Sequence, residues 1–81
     1  MTRDILRNIS FATEREANEF IEELKRTAMR NNGYISVYDA LEIAKYPKAK
    51  SYIDKHIVWH ISNLNMAIAI PCDYGWRIII P

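Results

Sequence analysis

His56 and His60, four residues apart, have the first spacing in this sequence that could do chemistry. On a helix both would project from one face, an arrangement that can hold zinc. A closed structural zinc site needs four ligands, and Cys72 and Asp73 are the nearest other donors, both in a stretch that reads as a loop. A pair of surface histidines is the plainer reading, and no metal site is expected. Cys72 beside either histidine would suggest a nucleophile and its base. Neither a carboxylate at a recognisable spacing nor a glycine-rich oxyanion loop accompanies them. Gly33 and Gly75 are the two glycines of the chain, too few to cradle a phosphate. The sequence therefore implies a non-enzymatic protein, with no catalytic residue, no cofactor and no small-molecule substrate.

The other arrangement with functional shape is basic. Residues 1–32 balance six basic against six acidic side chains, whereas residues 45–81 carry five basic and two acidic. Most of that excess is Lys45, Lys48, Lys50 and Lys55. Lysines near the start of a helix can contact phosphates while side chains further along meet base edges. On a nucleic-acid reading the contact set is Lys48, Lys50, Ser51, Lys55, His56, Trp59, His60 and Asn63. Asp54 sits among them and the net charge of the chain is only +1, so a solvated lysine-rich connection is the competing reading.

Elements must position these residues. Thr13-Glu14-Arg15-Glu16 fits a helix-starting capping box. Ala17, Phe20, Ile21, Leu24 and Ala28 then fall on one apolar stripe, and Asn31-Asn32-Gly33 ends the helix. Tyr34-Ile35-Ser36 predicts a short strand. Ser36 caps a second helix whose stripe is Val37, Ala40, Leu41 and Ala44, stopped near Lys45 by Pro47. Over residues 48–64 two periods compete. Ser51 with Asp54 makes another capping pattern, and Ile53, Ile57, Ile61 and Leu64 recur at helical spacing. Yet Ile57-Val58-Trp59 is β-prone, and Ile57, Trp59 and Ile61 alternate. The helical period predicts a third helix over 51–64.

The last stretch predicts a β-hairpin. A five-residue loop, 71–75, pairs Ile70 with Trp76, Ile68 with Ile78 and Met66 with Ile80, all on one face. Residues 2–12 remain open between a short helix and a loose arm. Trp59 and Trp76 read as core residues more simply than as interface anchors. The expected architecture is one α+β domain over 1–81: helix, short strand, helix, third helix, C-terminal hairpin. That is winged-helix-like order, with 51–64 as recognition helix and 71–75 as wing tip.

With those residues placed, the chain resembles a group of small proteins from phages and prophages of Gram-positive bacteria. The matching stretches are Gly33-Tyr34-Ile35-Ser36-Val37-Tyr38-Asp39-Ala40, Tyr52-Ile53-Asp54, Val58-Trp59, and Gly75-Trp76 through Pro81, spanning about residues 16–81. The group has glycine where this chain has Val58 before the tryptophan. The resemblance implies a mobile-element origin and carries no activity with it.

Bulk properties set the remaining bounds. Hydrophobic residues make up 49% of the 81 and charged residues 26%, an ordinary globular balance. A chain this short has a thin core, so self-association would be an economical way to cover more surface. The single cysteine suits a reducing compartment, and no apolar run approaches the roughly 20 residues that cross a bilayer. The N-terminus does not read as a signal peptide. The expectation is a cytoplasmic protein of the host cell, with no membrane partner, that binds another protein or itself. The alternative is a winged-helix DNA-binding protein using residues 48–63.

Overall fold

A computed structural model describes residues 9–45 and 58–81. The first helix, α1 (Glu14–Arg30), starts where its capping residues put it. The Thr13 hydroxyl accepts the Glu16 backbone N–H at 3.1 Å, and the Glu16 carboxylate accepts the N–H of Ala12 at 3.2 Å. The second half of the box thus closes one residue earlier than the usual reciprocal bond to the cap. The stripe Ala17, Phe20, Ile21, Leu24 and Ala28 is buried throughout. The opposite face carries ion pairs spaced three or four residues apart, Arg15 with Glu19, Lys25 with Glu22 and Arg26 with Glu23. These are solvent-screened pairs worth a few tenths of a kcal/mol each. The helix ends as Asn32 and Gly33 turn into positive φ, where the Gly33 N–H returns to the Ala28 carbonyl at 2.7 Å.

Strand β1 (Tyr34–Ser36) leads straight into α2 (Val37–Ile43), whose N-cap Ser36 accepts the Asp39 N–H at 3.0 Å. Val37, Ala40 and Leu41 face the core. Losing either cap hydroxyl leaves a helix N–H unpartnered. Thr13→Ala and Ser36→Ala should therefore each lower unfolding stability by about 1 kcal/mol in urea titrations, without altering the fold.

The helix expected over 51–64 is corrected at its described end. Val58–His60 is a strand, β2, antiparallel to β1 with Ile35 opposite Trp59, and helix α3 is only Ile61–Leu64. Residues 51–57 lie outside the described residues. The β-branched and aromatic character of Val58-Trp59 prevails over the helical spacing because β1 supplies a strand to pair with. Pairing also places Trp59 over the core beside Ile35.

The C-terminal hairpin forms, but in another register. Strands β3 (Ile68–Cys72) and β4 (Gly75–Ile79) are joined by the two residues Asp73 and Tyr74. Ile68 lies opposite Ile79, Ala69 opposite Ile78, and Pro71 opposite Trp76. The five-residue loop and the Ile68–Ile78 pair are thus replaced. A shift of one residue turns β3 over. Ala67 and Ala69 now pack towards the core, and Met66 and Ile68 face outward. The reason is α1, which lies against both hairpin strands. Small alanines on the inner face let the helix approach where isoleucines would hold it off.

The segment before α1 completes the arrangement. Phe11 pairs with Trp76 through two backbone bonds, Phe11 N–H to the Trp76 carbonyl at 2.7 Å and Trp76 N–H to the Phe11 carbonyl at 2.8 Å. The Phe11 ring stacks tilted on Phe20 with centroids 5.1 Å apart, and Ile9 is buried. The result is an α+β fold with two small antiparallel sheets. Its core joins α1, α2, both sheets and α3, with Leu24, Ile35, Val37, Leu41 and Leu64 as its most enclosed large side chains.

Candidate functional site

Of the residues that the sequence nominates for nucleic acid, Lys48, Lys50, Ser51, Lys55 and His56 lie outside the described residues. Trp59, His60 and Asn63 are described, and their side chains are turned to structural work. Trp59 is only 5% exposed, at the centre of the β1–β2 pair. It belongs to the core, as expected of it, and its burial removes it from a groove-facing set.

His60 and Asn63 hold the corner between β2 and α3. Nδ1 of His60 takes the Ser62 N–H at 3.2 Å and lies 3.0 Å from the Ser62 hydroxyl, so the imidazole caps the short helix. Accepting that N–H requires a lone pair on Nδ1, which leaves the neutral ring's proton on Nε2. The ring meets Tyr34 edge-on, with centroids 4.7 Å apart. Ser62 and His60 are within hydrogen-bond reach of each other, but they are two residues apart on one turn and serve the cap. Asn63 closes the reciprocal half, its Oδ1 accepting the His60 N–H at 3.2 Å. Its amide nitrogen then donates to the Pro81 carbonyl, also at 3.2 Å, which ties this corner to the end of the hairpin. Both polar groups of Asn63 are thus engaged, and neither is turned to a base edge. Asn63→Ala should remove both bonds and cost roughly 1–2 kcal/mol. Thermal unfolding would measure that loss, and amide hydrogen exchange should rise at both His60 and Pro81's neighbours.

In place of the wing tip expected over residues 71–75, the strands leave only Asp73-Tyr74 as the turn, with a carboxylate and no cation in it. Within residues 58–81, Arg77 is the single lysine or arginine and Asp73 the single acidic side chain. Cys72 is a free, half-buried thiol beside that turn. Among the described residues no group of three or more His, Cys, Asp or Glu side chains gathers where a metal could sit. Among them, too, no helix is long and apolar enough to cross a membrane. A depression of about 800 Å³ runs along α1, lined by Glu14, Asn18, Glu22 and Arg26 among others. Those side chains form the solvated face of one helix and do not converge on a point.

The surface that stands out is the outer face of the hairpin. Trp76, Ile78 and Ile80 turn inward, so Arg77 and Ile79 turn outward, joined across the register by Ile70 and Ile68. Ile68 is 54% exposed, Ile79 37%, and Met66, just before β3, 64%. Sequence reasoning missed this face because it placed Met66, Ile68 and Ile70 with the inward set. The available signal was the contrast in side-chain size along 66–70, where alternate residues are alanine and would suit contact with a helix.

No protein-family model, curated protein or solved structure matches this chain.

Proposed function

We propose that this chain is a non-enzymatic, phage- or prophage-type accessory protein that acts by binding another protein or itself. The observation that carries the reading is the exposed Ile68 and Ile79, paired on the outer face of the hairpin, with exposed Met66 in the turn before β3. Contiguous exposed apolar side chains on a small fold are the usual mark of a contact surface. The resemblance of its motifs to small phage and prophage proteins supports the setting. The DNA reading has less support, since Trp59 is buried and Asn63 is committed to His60 and Pro81.

Two measurements test this together. Co-purification from a phage-carrying host should recover a protein with the wild-type chain that a folded Ile68→Lys/Ile79→Ser variant fails to recover. Fluorescence anisotropy should detect no binding to mixed duplex DNA at micromolar protein and moderate salt. Salt-sensitive DNA binding lost in Lys50→Ala plus Lys55→Ala, with a log–log slope of roughly −2.7 for three phosphate contacts, would establish the DNA reading instead.

A further inference from the structure

We propose that the outer face of the hairpin receives an amphipathic helix of another protein, whose apolar stripe covers Ile68 and Ile79 and whose carboxylate meets Arg77. This rests on the protein-binding reading above and names the partner's chemistry. Arg77 carries the argument. It is half-buried, directly opposite Ile70, and next to Ile79 on the same face. It has no ion pair or side-chain hydrogen bond among the described residues. A partner that dried this face without supplying an anion would strand a guanidinium, a heavy desolvation penalty. A bidentate carboxylate removes that penalty and fixes the docking angle.

The same observations weigh against two other occupants. A second copy would present the same isoleucines with a second Arg77 and no acid among them. An added strand would have to use the edge of β3 that no described strand occupies. Trp76 gives its N–H and carbonyl to Phe11, so the opposite residue, Pro71, belongs to a pair without mutual bonds and turns its backbone outward. Proline has no N–H to offer there, which blunts the edge. The flat face is what remains for contact, and a helix of leucine-type side chains fits it with Met66 as an adaptable rim.

Two synthetic helical peptides with one leucine stripe, flanked by glutamates in one and by lysines in the other, provide the probe. Each is titrated into the full ¹⁵N-labelled chain. The glutamate peptide should bind at least tenfold more tightly and perturb the amides of Ile68, Ile70, Arg77 and Ile79. Arg77→Glu should invert the ranking. Arg77→Gln, the milder change, should abolish the preference, and each variant's melting curve is recorded first. Equal affinities, or perturbations centred off the hairpin, would overturn the proposal. So would a concentration-dependent dimer in sedimentation equilibrium that Ile68→Ser dissolves, although that result would leave the protein-binding reading standing. Absence of peptide binding, of dimerisation and of any variant-sensitive co-purified protein would remove both.

Discussion

Gly75→Ala is expected to be the most damaging single-methyl change in the described fold, costing about 3 kcal/mol or more. Two terms act together. Gly75 has φ +129°, a region that side-chain-bearing residues rarely enter. The added Cβ would also fall inside the van der Waals envelope of the Phe11 carbonyl oxygen. That oxygen cannot swing aside cheaply, because it accepts the Trp76 N–H at 2.8 Å while Phe11 donates back at 2.7 Å. Relief would mean breaking the pairing of the N-terminal segment with β4 and uncovering Ile9 and Phe11. Gly33→Ala is the internal comparison. Its φ is also positive, at +88°, but the nearest atom to a new Cβ is the His60 side-chain nitrogen at 3.4 Å. A side chain can yield, so a loss of about 1 kcal/mol is expected there. Urea unfolding of both variants would measure the gap. Equal costs would mean that backbone strain alone, and not the Phe11 contact, sets the penalty at Gly75.

Trp59→Ala should cost about 3–5 kcal/mol, the range for emptying a large buried aromatic site. Trp59 is 5% exposed and pairs with Ile35, itself fully enclosed, so the cavity would open in the middle of the β1–β2 contact with the core. Marginal stability for 81 residues is of order 4–12 kcal/mol, so a substantial fraction of it is at stake. Trp59→Phe should recover much of the loss by refilling part of the space. Fluorescence of the remaining Trp76 under urea follows the transition in both variants. A Trp59→Ala chain as stable as wild type would mean that Trp59 is a surface residue and that β2 does not pair with β1.

Much of the fold was legible in local signals. The caps at Thr13 and Ser36 and the stripe from Ala17 to Ala28 located α1 and α2, because capping and amphipathic period act within a few residues of themselves. The hairpin was legible as a hairpin. Its register was not, because β3 is apolar on both faces and alternation alone cannot say which face is inward. Residues 58–60 misled for a related reason. Their spacing fits a helix and their composition fits a strand, and the choice fell to a partner strand more than twenty residues away.

The binding surface depended on that same undecided register. The sequence determined that Ile68, Ile70, Arg77 and Ile79 would lie in two paired strands with a turn between them. Only the tertiary structure decided that the isoleucines of β3 point outward. Packing against α1 rewards the small side chains of Ala67 and Ala69 on the inner face, beside the Trp76 and Ile78 that β4 turns to the core. Local sequence sets what each strand can pair with. The shape of the helix laid against it sets which side is left for a partner.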